Sequence, residues 1–342
     1  MTSPQKALRL LQLHHGNQPL VLINAWDAAS AAMVAHCGLP AVATSSAALA
    51  NALGFADGQH LPWEQMLEAV ARICRAVKAP VTADIEAGFA PDVKGLETSI
   101  TQIIQAGAVG VNLEDAIPAN ADLKNADLKD DDLKNDNLEN ADPEPAAAKQ
   151  ASASIRHGSP LYPVAEQVAR IQAARRAGET QGIHLVINAR TDAYWQSGVE
   201  PAEAMRGTLE RGKAYLQAGA DCIFIPGLRN PDHIKTVIDH LSSPDQRSHD
   251  LRNDDLRNND VRAAQQGAVH RVSPVNILAG PGVPSIPELA RLGVKRVSYG
   301  SGPHRAAMGL LRRMAEEART SGTFKALTEG AMPYEEMNGL FP

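Results

Sequence analysis

Val81–Ala116 reads VTADIEAGFAPDVKGLETSITQIIQAGAVGVNLEDA, a complete strand–helix–strand unit. VTADIEA is a short apolar run of strand type, a helix is expected from about Lys94 to Gln105, and GVNLEDA is a second strand. Both strands end in carboxylates. Asp84 and Glu86 are two residues apart, so on a strand they point to the same face. Glu114 and Asp115 are adjacent, so only one of them shares the inward face. Acids in apolar strands are costly to bury unless a cation lies between them. Asp84, Glu86 and Glu114, converging from neighbouring parallel strands, make a hard-cation site, most naturally for Mg²⁺. Helix caps or arginine ion pairs would use the same acids, and that alternative stays open at this point.

The same alternation runs outward in both directions. After an amphipathic helix from Pro4 to about His15 come the strand PLVLINA and a helix from its N-cap Asp27 to about Cys37. PAVATSS is the next strand, and a loop carrying LGFADG leads into the helix WEQMLEAVARICRAV. Beyond GVNLEDA, the strands HLVINART, CIFIPG, PVNILAG and RVSYGSG are each followed by a helix. The AGA turns at Ala106–Ala108 and Ala218–Ala220 each end a helix with glycine before a strand. Near-continuous apolar strands between amphipathic helices imply a parallel sheet covered on its outside. Eight such units specify a (β/α)₈ TIM-type barrel, one domain over residues 1–342.

Two polar insertions interrupt it, at about 119–158 and about 242–268. Both have a period of five: ADLKN ADLKD DDLKN DNLEN from Ala121, and HDLRN DDLRN NDVRA from His249. One aliphatic residue in five resembles the pentapeptide repeat, but so few repeats cannot bury a core. Nine acids against four lysines between Asp122 and Lys149 give this stretch most of the chain's net charge of -6. The first insertion follows the fourth strand, on the carboxyl face where barrel enzymes keep their chemistry; the second lies on the opposite face.

That charge leaves no basic footprint, so nucleic acid is not an expected partner. Cys37, Cys74 and Cys222 are far apart, without zinc or disulfide spacing, which fits a reducing cytoplasm. No segment approaches membrane-spanning length, so no membrane partner is expected.

Besides the carboxylates, Trp26, Ser45, Ser46, Asn188, Arg190, Asp192 and Asn276 lie at carboxyl ends of strands. Arg190 over a metal site would stabilise a developing oxyanion, and it would equally form a salt bridge to Asp84 or Glu114. Trp26 suits core packing as well as a site, and Asn276 in an apolar strand needs hydrogen-bond partners that a ligand would supply. No lysine lies within a predicted strand, against Schiff-base chemistry. His14 and His15 are expected to be exposed on the first helix, and His304 is the one histidine near the catalytic face. The AGPG and YGSG turns would also suit a phosphate.

LINAWDAASAAMVAHCGLPAVATSSAALANALGFADG, TADIEAGF, GVNLEDA, INARTDAYW and PVNILAGPG…RVSYGSGPHRA together resemble the isocitrate lyase/phosphoenolpyruvate mutase superfamily. The resemblance implies a (β/α)₈ barrel whose last helix swaps between subunits, in a homotetramer built from dimers. It implies Mg²⁺ held directly by Asp84, with Glu86 and Glu114 acting largely through water and Asp57 beside the metal shell. The backbone amides of Ser45, Ser46 and Ala47 would hold one end of a 2-oxo acid, Arg190 would bind its carboxylate or oxyanion, and Trp26 would pack over it. Superfamily lyases of the isocitrate type carry a lid with a cysteine and a histidine after the fourth strand, where this chain has EDAIPANADLKN. Without that thiol, isocitrate and methylisocitrate are not expected substrates. The expectation is an Mg²⁺-dependent lyase or decarboxylase that cleaves a C–C bond beside a small 2-oxo or 2-hydroxy carboxylate through an enolate. The alternatives are a phosphonopyruvate-type mutase or hydrolase, and an inactive barrel serving as a binding scaffold.

Overall fold

A computed structural model describes residues 1–118, 159–242 and 274–341. The two insertions fall outside the described residues, apart from Ser242, which caps the preceding helix.

Nine parallel strand segments run in the order β1-β9-β8-β7-β6-β5-β4-β3-β2. In chain order these are β1 Leu20–Leu22, β2 Asn24–Ala25, β3 Val42–Thr44, β4 Val81–Asp84, β5 Gly110–Glu114, β6 Val186–Arg190, β7 Cys222–Phe224, β8 Val275–Leu278 and β9 Arg296–Ser298. Only Ile23 separates β1, which pairs with β9, from β2, which pairs with β3. The two are one interrupted strand that joins both ends of the sheet, so the nine segments form the eight strands of a (β/α)₈ barrel. Helices α1 (Ser3–His14), α2 (Ala28–His36), α3 (Ser46–Ala52), α4 (Trp63–Ala76), α5 (Val93–Gln105), α6 (Val164–Thr180), α7 (Pro201–Gln217), α8 (Pro231–Leu241), α9 (Ile286–Leu292) and α10 (Gly302–Thr320) follow in order. Two short helices, α11 (Lys325–Gly330) and α12 (Tyr334–Asn338), end the chain.

Local chemistry sets these boundaries. Asp27 caps α2 by accepting from the Ser30 amide, and Asp92 caps α5 by accepting from the Gly95 amide. Gly107 (φ +106) and Gly219 (φ +101) take the left-handed backbone at the two AGA turns, as their position at helix ends requires. Helix α1 closes the amino end of the barrel with Ala7, Leu10 and Leu11. His14 is fully buried there rather than exposed: its Nδ1 faces the Leu10 carbonyl at 2.8 Å and its Nε2 lies 3.3 Å from Arg296. Burial, with Arg296 next in effect, lowers its pKa to about 3, so it is neutral. Helix α3 replaces the expected loop. Its sequence SAALANA is short and rich in alanine, without the periodicity that marks a helix. No helix among the described residues is long and apolar enough to cross a membrane.

Candidate active site

The carboxyl ends of β4, β5 and β6 meet in register: Asp84 pairs with Asn112, and Glu114 with Arg190. Asp84 ends its strand with its amide and one carboxylate oxygen fixed. Its amide donates to Thr44 Oγ1 at 2.9 Å, and its Oδ2 accepts from the Ser46 amide at 3.0 Å and hydroxyl at 2.9 Å. Ser45 is the N-cap of α3, so the helix aims its first turn at this carboxylate. The next amide in that turn, of half-buried Ala47, makes no hydrogen bond among the described residues.

Glu86 reaches the site by a different route from the one its spacing implies. The strand stops at Asp84, and Glu86 adopts a left-handed backbone (φ 50), followed by Gly88 (φ 93) and Phe89 (φ 52). The turn, not the strand pleat, points Glu86 inward. Its carbonyl accepts from the Glu114 amide at 3.0 Å, and its Oε2 accepts from the Gln59 amide at 2.7 Å. Its Oε1 is buried without a partner. Asp57 is half-buried in the loop just before Gln59. Burial and then Asp84 push the Asp57 carboxyl above its ordinary range. Burial, followed by Asp57, Glu114 and Asp84, does the same more strongly to Glu86.

Arg190 is the cation of the group. Its Nη1 meets Glu114 Oε2 at 2.7 Å, while Nε and Nη2 chelate Asp192 at 2.7 and 2.8 Å. Asp192 and Glu114 more than offset its burial, so its charge is held firmly. Three of its five N–H groups are engaged, which leaves one each on Nη1 and Nη2. Burial pushes Glu114 up to about 8, against the opposing pull of Arg190. Two carboxylates, Glu114 and Asp192, thus contact the one guanidinium, while Asp57, Asp84 and Glu86 lie near one another without a cation in contact among the described residues.

The other predicted residues divide. Trp26 stands at the barrel mouth, its ring edge-on to His304 with centroids 5.2 Å apart. Buried His304 has an unpartnered Nδ1. Asn276 is fully buried on β8 and donates to Ser298 Oγ at 3.1 Å, with Oδ1 unpartnered; no contact joins it to the carboxylates. Asn188 donates to Asn112 at 2.7 Å, one inward layer below Glu114 and Arg190, where Arg296 also donates to Asn112 at 3.0 Å. Thr44, which fixes Asp84, is not among the predicted residues; Asp192, expected at its strand end, fixes Arg190. The Arg-Thr-Asp spacing held the signal for Asp192, since residues two apart can chelate back.

A parallel barrel with carboxylates and a paired arginine at its carboxyl end defines an enzyme-type site. A sequence model of the phosphoenolpyruvate phosphomutase family matches residues 10–319, and the chain belongs to that family, within the isocitrate lyase/PEP mutase superfamily. It is 26% identical over 325 residues to a Mycobacterium tuberculosis protein of uncharacterised function, covering 95% of this chain and 93% of that one. Identity to the 2-methylisocitrate lyase of Halalkalibacterium halodurans is 25% over 238 residues, 69% of this chain and 65% of the other. A Burkholderia cenocepacia J2315 structure, assigned provisionally as a phosphonomutase, matches with TM-score 0.69 and 31% identity over 93% of this chain and 100% of that one. The fold also matches phosphonopyruvate hydrolase in complex with oxalate and Mg²⁺, with TM-score 0.67 and 21% identity over 99% and 95% of the two chains. The chain is an enzyme of this superfamily.

Proposed function

We propose that the chain is an Mg²⁺-dependent enzyme that cleaves a C–C bond beside a small 2-oxo or 2-hydroxy carboxylate, by way of a pyruvate-like enolate. The observation that carries this reading is the excess of carboxylate over cation at the barrel mouth, with Glu86 Oε1 buried and unpartnered. All-oxygen, anionic donors suit a hard divalent cation. No three His, Cys, Asp or Glu among the described residues converge closely enough to ligate one ion together. The proposed arrangement is direct binding by Asp84, with Glu86 and Glu114 reaching through water. When bound, Mg²⁺ supplies Lewis-acid stabilisation of enolate charge.

The chain's own residues do the rest. The two remaining N–H groups of Arg190 receive the substrate carboxylate or the developing oxyanion, in a setting where they need no reorganisation. The Ala47 amide, at the head of α3, orients the other end of the 2-oxo acid. The Ser46 amide is already taken by Asp84, so it acts on the substrate through that carboxylate. Trp26 shields the site from water. Asp57, whose pKa burial raises, is the acid assigned to proton transfer. Asn276 serves the floor of the substrate cavity through its free Oδ1. P–C cleavage is the second reading, favoured by the 31% identity to the Burkholderia protein assigned provisionally as a phosphonomutase.

The reading includes a homotetramer, a dimer of dimers, because α10–α12 leave large apolar side chains in water, Leu311 at 56% and Phe324 at 71% exposed. It includes a cytoplasmic location, supported by three free cysteines, of which Cys74 and Cys222 are buried.

The test is a turnover screen with Mg²⁺ against 2-oxo acids, 2-hydroxy acids and phosphonates, repeated in excess chelator and with Asp84→Asn. Turnover of a substrate that leaves a pyruvate enolate, lost in chelator and lost at least a hundred-fold in Asp84→Asn, is the expected result. Full activity in chelator would sink the metal assignment, and preference for phosphonopyruvate would select P–C chemistry.

A further inference from the structure

Asp115 follows Glu114 but turns away from the barrel mouth, and none of its surface is exposed. A carboxylate buried this deeply survives only if its partners compensate it, so those partners identify its task. Its Oδ2 accepts from the Tyr215 hydroxyl at 2.7 Å and from Arg211 Nη1 at 3.1 Å, both on α7. Its Oδ1 accepts from the amide of Asp192 at 3.0 Å. The Asp115 amide donates to the carbonyl of Arg190 at 3.2 Å. Asp115 therefore grips the chain on both sides of Thr191, and what it grips is the arginine and the carboxylate that chelates it.

The brace behind Asp115 is itself fixed. Arg211 Nη1 also donates to the Tyr162 carbonyl at 2.9 Å and to the Tyr215 hydroxyl at 2.9 Å. The Tyr162 amide donates to the Asp115 carbonyl at 2.8 Å. A continuous line of bonds thus runs from α7 through Asp115 and Asp192 to the guanidinium of Arg190, and from there to Glu114. Without it, Arg190 and Asp192 would keep the tie to Glu114 and the bond from the Thr191 amide to the Phe224 carbonyl, but the pair would lose its hold on α7. Displacement of a charge-bearing donor by an ångström or so is enough to erode its effect on a transition state.

We propose that Asp115, braced by Arg211 and Tyr215, is a positioning residue that sets the direction of Arg190 by way of Asp192. The proposal rests on the reading of Arg190 as the receiver of the substrate carboxylate, so its test carries one readout that needs no ligand. In full-length protein labelled with ¹⁵N-arginine, the Nε–H signal of Arg190 is identified by its loss in Arg190→Lys. Tyr215→Phe, which removes one brace, should move that signal and speed its hydrogen exchange about ten-fold, in keeping with loss of one bond to a charged group. Oxalate with Mg²⁺ is the ligand probe. Its affinity should fall about ten-fold in Tyr215→Phe and by a comparable or larger factor in Asp192→Asn. The double variant should bind no worse than Asp192→Asn alone, because both changes act through one line. An unchanged Arg190 signal, or additive losses in the double variant, would overturn the proposal and leave Asp115 as a tie between β5 and α7. If the parent protein binds no oxalate, the functional reading fails while the Arg190 signal still decides the positioning role. Arg211→Lys, which keeps the charge but shortens the reach, gives the same readouts if Tyr215→Phe does not fold.

Discussion

Glu86 combines a left-handed backbone, a buried carboxylate and an oxygen without a partner. Each of these is unfavourable, and a non-glycine residue is held this way where its direction matters more than its stability. The consequence is measurable as a pH dependence. Glu86 lies well above its ordinary carboxyl pKa, first through burial and then through Asp57, Glu114 and Asp84; Glu114 is pushed up to about 8. In the unfolded chain both titrate near 4.5. Below that pH both states hold the protons, and the contribution of these two carboxyls to stability is at its full value. Between about 4.5 and 8 the unfolded chain releases protons that the folded protein keeps, so stability falls as pH rises. Melting temperature in chelator should therefore drop by several degrees from pH 5 to pH 8. Mg²⁺ should restore most of the loss at pH 8, and Glu86→Gln should flatten the curve. A melting temperature in chelator that does not change with pH would refute the assignment of excess buried carboxylate. The acids themselves were legible in the sequence, because carboxylates in apolar strands demand an explanation. The route of Glu86 was not, since alternation is defined only while the strand lasts. Nor was the burial of His14, which depends on a helix packing under a barrel whose closure no local pattern reveals.

At the scale of elements, β5 is the axis of the molecule: its amino end meets the α1 plug and its carboxyl end carries Glu114. Gly110 opens it where space is tight on three sides. A Cβ there would lie 2.8 Å from Leu10 Cδ2, 3.0 Å from Thr82 Oγ1 and 3.0 Å from the Val186 carbonyl. Leu10 can shift, but the Val186 carbonyl belongs to the sheet and cannot. Gly110→Ala should cost about 1–3 kcal/mol by overpacking. The loss falls at the opposite end of the strand from the carboxylates, so turnover per folded molecule should stay within about two-fold of the parent. Chemical denaturation beside steady-state kinetics separates the two quantities, and a stability equal to the parent's would show that α1 is loosely seated. The strands and the amphipathic helices were legible because burial on one or both faces imposes a period, as in α4, where Met66, Val70, Ile73 and Cys74 are buried. Helix α3 has no such period. What makes it a helix is the local Ser45 cap and the anchoring of its first turn to Asp84, a contact made across 38 residues of sequence.

At the scale of the whole molecule, the carboxyl-terminal helices do not behave like the rest of the barrel's cover. Of the nineteen residues of α10 only His304 is buried, although the helix has an apolar side. Met308 is 45% exposed, and Phe324, Leu327, Tyr334 and Met337 of the following segment are exposed as well. Scattered exposed apolar residues need no explanation, but a run of them along consecutive helices marks a contact surface. A second copy of the chain is the proposed occupant, in keeping with the swap of the last helix that the resemblance implied. Met308→Glu and Leu311→Glu together would place two charges in such an interface, and buried unpaired charges are expelled or break the contact. The parent chain should scatter light as an oligomer. The double variant should shift to the mass of a single chain, 36.4 kDa, with an unchanged circular-dichroism spectrum. If the parent already runs at 36.4 kDa at micromolar concentration, the oligomer reading is wrong, and α10–α12 are covered by something other than a second copy.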